Sequence, residues 1–192
     1  EEVGYEVVSD SVFSKISDTC TPQGILCVLK QFHYNIEEML RDKAPLFLLL
    51  ENIQDPGNLG TMLRTGEGAG VSGIIMSRDT VDLYNPKVIR STMGSIYRVP
   101  FYYADDFAAA VHQVQQAGVS VYAAHLRGKN SYACQDYTKG AAFLIGNEGN
   151  GLREETAELA DCYIRIPMEG KVESLNAAVA SSILMYEAHR QR

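Results

Sequence analysis

The chain has 192 residues, of which 46% are hydrophobic and 21% are charged, and its formal net charge is −7. This composition is typical of a globular protein. The sequence contains no run of 18 apolar residues, so no membrane span is predicted. An acidic chain is poorly suited to sequence-independent binding of phosphate backbones, so any contact with nucleic acid needs a local basic patch.

The four cysteines, Cys20, Cys27, Cys134 and Cys162, do not have the spacing of metal ligands. No signal peptide is visible ahead of them. We therefore expect reduced thiols, no metal site and a cytoplasmic protein.

The first 30 residues differ from the rest of the chain. Residues 11–17 have the pattern of a short helix, and residues 24–29 have that of a strand. One helix and one strand cannot bury a core by themselves. Residues 31–44 are expected to form a mixed polar linker, part of which is helical.

From residue 45 onwards, apolar strands alternate with amphipathic helices. Helices are predicted to begin at Asn58 as N-cap, at Asn85 followed by Pro86, and at Asp105. This order predicts an α/β fold, with a mostly parallel sheet flanked by helices on both faces. The strands are predicted at residues 46–50, 73–76, 99–103, 119–124, 141–145 and 162–166.

The last two predicted strands end in polar turns that contain glycine. Residues 146–151 hold three glycines and two asparagines, and residues 167–176 follow the final strand. Two such strand ends predict a ligand crevice at the carboxyl edge of the sheet. The helix that follows carries one apolar face, formed by Leu175, Val179, Ile183 and Tyr186.

Residues 68–73 read GAGVSG, which matches the glycine pattern of dinucleotide-binding proteins. That pattern must follow a strand and open a helix, whereas here it follows a helix and precedes a strand. We interpret it as a helix stop and a turn. A nicotinamide-linked oxidoreductase is therefore a weak alternative.

Arg64 is the charged residue of greatest interest. Its side chain is predicted to lean over Gly60, which has no side chain and should leave open space near a helix start whose dipole favours anions. An ordinary exposed arginine is the alternative. Other polar residues also have structural alternatives to a functional role. Glu148 could shape a tight turn, and Ser174 and Asn176 could cap the last helix.

Three segments together resemble the motifs of the SpoU/TrmH family, S-adenosylmethionine-dependent RNA 2′-O-ribose methyltransferases of the SPOUT superfamily. The segments are residues 52–65, 146–152 and 166–176, in the family's order. The resemblance implies that the fold ends in a deep trefoil knot, which periodicity alone does not predict. It also implies a homodimer, S-adenosylmethionine as cofactor and no metal.

The resemblance also implies roles for particular residues. Arg64 acts on the acceptor hydroxyl, and Asn58, Glu148, Ser174 and Asn176 position Arg64 and the nucleotide. Backbone groups in the C-terminal loops hold the cofactor, near Ala124, Gly146, Ile166 and Leu175. A basic patch for RNA is expected from Lys87, Arg90 and Arg98, and a solvated helix face is the alternative.

Residues 1–30 resemble the tail of an L30e-like RNA substrate-binding domain, with residues 31–44 as linker and 45–192 as the methyltransferase domain. The alternative is an extra layer on the catalytic domain. Ribosomal RNA is the favoured substrate. The other possibilities are a transfer RNA methyltransferase and a catalytically silent RNA-binding protein of the same fold.

Overall fold

A computed structural model describes residues 4–192, and the chain divides into two units, Glu1–Phe32 and His33–Arg192. The helices are α1 Asp10–Ile16, α2 Ile36–Met39, α3 Pro56–Ala69, α4 Pro86–Thr92, α5 Phe107–Gln116, α6 Glu154–Ala157 and α7 Ala177–Gln191. The strands are β1 Leu46–Leu50, β2 Gly73–Ser77, β3 Phe101–Ala104, β4 Ser120–Ala124, β5 Asn130–Ser131, β6 Ala141–Ile145 and β7 Cys162–Arg165.

The first unit contains α1, which confirms the predicted helix, but the strand predicted at residues 24–29 is wrong. That segment forms no ladder with any described residue. Its apolar side chains are exposed, to 80% for Ile25 and 89% for Val28. A strand is stabilised by pairing and by a covered face, and this segment has neither.

The second unit is built on a seven-stranded sheet in the order β3-β2-β1-β6-β4-β7-β5. Every ladder in it is parallel. The α/β prediction is therefore confirmed, and all six strands predicted from residue 45 onwards form. The sequence pattern missed β5, which has only two residues.

Both faces of the sheet are covered, because successive side chains of a strand point to opposite sides. In β1, Leu46, Leu48 and Leu50 pack with α3, α4 and α7. Phe47 and Leu49 pack in a second cluster that includes residues of α2 and α5. All five β1 side chains are buried, as expected for a central strand of a parallel sheet.

The predicted linker contributes to the second cluster. Ile36 and Met39 of α2 are buried in it. The division at residues 32 and 33 lies close to the predicted one, but the identity of the domains stays a prediction.

Helix α3 begins two residues before the predicted cap. Asp55 is the N-cap, and its carboxylate accepts a hydrogen bond from the N–H of Asn58 at 2.7 Å. Pro56 occupies the first turn, where the absence of an N–H costs nothing. Asn58 is therefore inside the helix, and its side chain is free for another role.

The apolar face predicted for the last helix lies on its exposed side. Val179 and Tyr186 are about half exposed, while the core is contacted through Ala178, Leu184 and Met185. The trefoil knot stays a prediction. Within residues 4–192, no helix is long and apolar enough to cross a membrane.

Gly60 and Gly68, on the same helix, allow a matched test of packing. A Cβ at Gly60 would lie 1.7 Å from Ser91 Oγ and 2.9 Å from the carbonyl oxygen of Val88. We expect Gly60→Ala to lower the free energy of unfolding by about 1–3 kcal/mol. At the exposed Gly68, a Cβ would only approach the hydroxyl of Tyr186 at 3.1 Å.

Gly68→Ala should therefore be neutral or stabilising by up to about 1 kcal/mol, because alanine favours the helix. Urea unfolding of both variants measures the difference. Equal stabilities would contradict the close packing of α3 on α4.

Candidate active site

The carboxyl ends of β6, β4 and β7 lie side by side in the sheet and open into one cavity. Its volume is about 350 Å³, which lies within the range of small-molecule sites. The four residues predicted near the cofactor all line it, namely Ala124, Gly146, Ile166 and Leu175.

Residues 146–152, here called the glycine loop, form one wall of this cavity. The loop turns back onto its own start, with hydrogen bonds of 3.0 and 2.9 Å between the backbones of Asn147 and Gly151. A Cβ at Gly146 would lie 2.2 Å from the backbone of Gly151 and Leu152. Only glycine fits at that point, because the two chain segments approach so closely.

The glycine loop is joined to residues 51–55, the β1–α3 loop. Asn147 Nδ2 donates to the carbonyl oxygen of Asn52 at 2.8 Å. The Glu148 carboxylate accepts the N–H groups of Gln54 at 3.1 Å and Asp55 at 3.0 Å. Two loops from distant parts of the chain therefore form one rigid edge.

A chain of side-chain hydrogen bonds continues from this edge. Asn58 Nδ2 donates to Glu148 Oε1 at 3.0 Å, and Asn176 Nδ2 donates to Asn58 Oδ1 at 3.0 Å. Asn176 Oδ1 in turn accepts the N–H groups at the start of α7. The structure thus brings three of the five predicted catalytic residues into contact, along a second, shallower cleft.

Glu148 is held as a carboxylate by these contacts. Partial burial by itself raises the pKa of Glu148, but hydrogen bonds from Asn58 and from the backbone of Gln54 and Asp55 lower it below its usual 4.5. A carboxylate that already accepts hydrogen bonds from Gln54, Asp55 and Asn58 is well suited to holding these neighbours in position. It is a poor proton acceptor for a reaction at neutral pH.

Arg64 and Ser174 lie outside this chain. Both are exposed, and neither has a side-chain hydrogen bond to another residue within 4–192. Ser174 lines the first cavity beside Leu175. The capping role considered for Ser174 is wrong, because Asn176 is the N-cap of α7.

Two expectations about the surroundings of Arg64 are also wrong. There is no open space above Gly60, because that residue is buried against Ser91 of α4. The start of α3 is not a free anion site either. The carboxylates of Asp55 and Glu148 already accept the N–H groups at the helix start.

The predicted basic patch has fewer free charges than expected. Arg98 forms an ion pair with Glu67 of α3, and the hydrogen bonds between them raise the pKa of Arg98. Lys87 and Arg90 of α4 are exposed. They remain available to contact a phosphate.

Sequence reasoning missed the charged residues that support the glycine loop from behind. Glu51 is 1% exposed and accepts hydrogen bonds from Arg153 and Thr156. Arg153 also pairs with Asp79. A glutamate placed directly after five apolar strand residues was the available signal, because such a position is rarely solvated.

Within residues 4–192, no cluster of three or more histidine, cysteine or acidic side chains is arranged to hold a metal ion. The first cavity has the features that an organic ligand needs. It combines apolar side chains, such as Leu175 and Ile164, with the backbone groups of three strand ends.

Comparison with known proteins gives consistent matches. Residues 45–186 match the family described as the SpoU rRNA Methylase family. A Bacillus subtilis protein named 23S rRNA (guanosine(2553)-2'-O)-methyltransferase RlmP is 36% identical over 180 residues, which cover 94% of this chain and 70% of that protein.

Two solved structures extend the likeness to three dimensions. An AdoMet-bound rRNA methyltransferase from Sinorhizobium meliloti has a TM-score of 0.85 and 35% identity, covering 95% of this chain and 70% of that one. A TrmH/SpoU tRNA modifying enzyme from A. aeolicus has a TM-score of 0.70 and 29% identity, covering 82% of this chain and 80% of that one.

The charge on Glu148 gives a prediction about pH. Since its pKa is lowered in the folded state, the carboxylate stabilises the protein above pH 4.5 and loses this effect as pH falls through the folded pKa. We expect Glu148→Gln to lower the free energy of unfolding by about 1 kcal/mol at pH 7. The difference from wild type should shrink below pH 4.5, as measured by urea unfolding across pH. A constant difference would contradict this assignment.

Proposed function

The chain belongs to the SpoU rRNA methylase family, and we propose that it transfers a methyl group from S-adenosylmethionine to a ribose 2′-hydroxyl of RNA. One observation carries this proposal. The cavity at the strand ends and the cleft along Asn58 and Asn176 share the glycine loop as a common wall. A donor in the cavity and an acceptor in the cleft would therefore lie on either side of Glu148.

The cavity fits the cofactor by its chemistry. Bound S-adenosylmethionine supplies a methyl group on a sulfonium, which carries its own leaving group, so the reaction requires no metal. The close approach of backbone at Gly146 leaves main-chain groups to face a ligand. Ala124, Ile166 and Leu175 supply the other walls.

Arg64 is assigned to the acceptor. A guanidinium group keeps its proton at neutral pH, so its role is to orient a phosphate and to stabilise charge that develops on the 2′-oxygen. Its exposure and lack of a hydrogen-bond partner among the described residues support this assignment. The chain from Glu148 through Asn58 to Asn176 holds the cleft in shape, and Ser174 lines the cofactor cavity.

A homodimer is the second part of the proposal. Val179, Ile183 and Tyr186 form a stripe along α7 in which two of the three side chains are about half exposed. Tyr186 lies over Gly68 of α3, one turn from Arg64. A partner that covered this stripe would bury apolar surface and border Arg64.

Residues 1–30 are proposed to belong to an RNA substrate-binding domain, with residues 31–44 as its linker. The large apolar side chains exposed within the first unit support this proposal, since they need a cover. Ribosomal RNA is favoured as substrate because of the name of the B. subtilis relative. The A. aeolicus structure keeps transfer RNA as the second candidate. We propose a cytoplasmic location for the protein, which is consistent with either ribosomal RNA or transfer RNA as substrate.

The cofactor and acceptor roles are separated by two substitutions. Arg64→Ala should keep the affinity for S-adenosylmethionine, since Arg64 does not line the cofactor cavity. Its turnover on unmodified ribosomal RNA should fall by about 100-fold or more. Leu175→Arg should abolish both cofactor binding and turnover. Calorimetric titration and transfer of a labelled methyl group measure the two properties.

Arg64→Lys is the matched control, and it should rescue only part of the activity, because an ammonium group lacks the planar two-pronged contact with phosphate. Full single-turnover activity of Arg64→Ala would remove Arg64 from the mechanism. A wild-type protein that binds RNA but gives no heat with S-adenosylmethionine would be a silent RNA-binding member of the family.

The dimer proposal is tested at Tyr186. Tyr186→Asp should shift the wild-type dimer towards monomer, because it places a charge in the apolar stripe. Tyr186→Phe should remain dimeric, since the ring is retained. Sedimentation velocity measures both, and a wild-type protein that is monomeric at micromolar concentration would contradict the proposal.

A further inference from the structure

We propose that Glu51 is the positioning residue that fixes the shape of the cofactor cavity, a role that rests on the proposed function. Glu51 is not among the described residues that line either the cavity or the cleft. It acts instead on the end of the glycine loop, through Arg153 and Thr156.

The burial of Glu51 is the first observation. Its relative exposure is 1%, and a carboxylate is almost never buried to that degree unless its charge is compensated. The N–H of Glu51 donates to the carbonyl oxygen of Ile145 at 2.9 Å. This bond holds the residue beside the last residue of β6, from which the glycine loop starts.

The partners of the Glu51 carboxylate are the second observation. Oε2 accepts the backbone N–H of Arg153 at 2.8 Å, and Oε1 accepts the hydroxyl of Thr156 at 2.5 Å. The guanidinium of Arg153 lies 3.4 Å from Oε1. One carboxylate at the start of the β1–α3 loop therefore binds both the residue after the glycine loop and the helix that follows it.

Helix α6 explains why this contact matters. Its N-cap is Arg153, which has no side-chain cap of its own. A helix start leaves N–H groups unsatisfied, and Glu51 supplies the missing acceptor from the β1–α3 loop. Without Glu51, nothing else among the contacts of residues 4–192 would bind the N–H of Arg153.

An outer ion pair supports the same arginine. Arg153 also binds Asp79, and these hydrogen bonds raise the pKa of Arg153, so it stays charged beside Glu51. Asp79 accepts from Ser77 Oγ, and Ser77 Oγ accepts the N–H of Asn52 at 2.8 Å. This part of the network is about half exposed, so it contributes less than the buried contacts of Glu51.

The consequence is that both ends of the glycine loop are fixed by adjacent residues of the β1–α3 loop. Asn52 holds the start through Asn147, and Glu51 holds the end through Arg153. Since the loop is a wall of the cavity, the position of that wall depends on Glu51. Its removal should weaken cofactor binding by displacing the end of the loop, while Glu148 near the loop's start stays held by the N–H groups of Gln54 and Asp55.

The test is Glu51→Gln, which keeps the shape and removes the charge. Depending on its orientation, its NH₂ group faces either the backbone N–H or the guanidinium of Arg153, and neither of these groups can accept a hydrogen bond. We expect the Kd for S-adenosylmethionine to rise about tenfold or more. The KM for cofactor should rise in parallel, and kcat at saturating cofactor should stay near that of wild type.

Asp79→Asn is the matched control, because it removes the charge from the exposed ion pair with Arg153 and keeps an amide oxygen that can accept from Ser77, and it should change the Kd by less than about threefold. Amide hydrogen exchange gives a readout that is independent of activity. In Glu51→Gln, exchange should quicken across residues 150–157 and stay unchanged in α3. A purely structural role would lower the melting temperature and leave the Kd unchanged at temperatures well below it.

Thr156→Val provides a second variant, should Glu51→Gln not fold. It removes one donor to Glu51 without changing charge, and its Kd should rise less than that of Glu51→Gln but measurably. A variant that folds, binds cofactor as wild type does and shows unchanged loop exchange would overturn the role of Glu51. Absence of cofactor binding by wild type would instead overturn the proposed function, while the exchange experiment would still test the anchoring of the loop.

Discussion

Two carboxylates, Glu51 and Glu148, join loops that are about a hundred residues apart in the chain, 102 residues for Glu51 with Arg153 and 94 for Glu148 with Gln54. Glu148 of the glycine loop accepts hydrogen bonds from the β1–α3 loop, and Glu51 of the β1–α3 loop accepts them from Arg153, which follows the glycine loop, and from Thr156 of α6. Charge-assisted bonds of this kind are stronger than neutral ones, and they satisfy backbone groups that a loop leaves unpaired. The cavity and the cleft both depend on this reciprocal arrangement.

Glu148 and Glu51 differ in where they lie relative to the site. Glu148 lies at the surface of the site, where its loss affects contacts around Asn58. Glu51 lies behind the site, where its loss affects the wall of the cavity. Asp55 and Glu148 accept N–H groups at the start of α3, so the proposed function assigns the attraction of an RNA phosphate to Arg64 and to the exposed cations of α4.

The sequence was sufficient for features that depend on local pattern. Apolar runs such as residues 46–50 located the strands of the sheet, and the glycine-rich turn at Gly146 located the cavity. It was insufficient where a partner lies far along the chain. The buried contacts of Gly60 with Ser91 and of Glu51 with Arg153 have no local signature. The segment at residues 24–29 has strand-like composition but pairs with no residue in 4–192, since pairing is not a property of one segment.

The strand order has a consequence for synthesis of the protein. β1 pairs with β2 on one side and with β6 on the other, where Leu46 meets Ala141, a separation of 141 − 46 = 95 residues. At a translation rate of about 5–20 residues per second, one edge of this fully apolar strand waits roughly 5–20 s for its neighbour. Nascent chains of this protein therefore expose an unpaired hydrophobic edge on the ribosome, and chaperones that bind such edges have that interval in which to act.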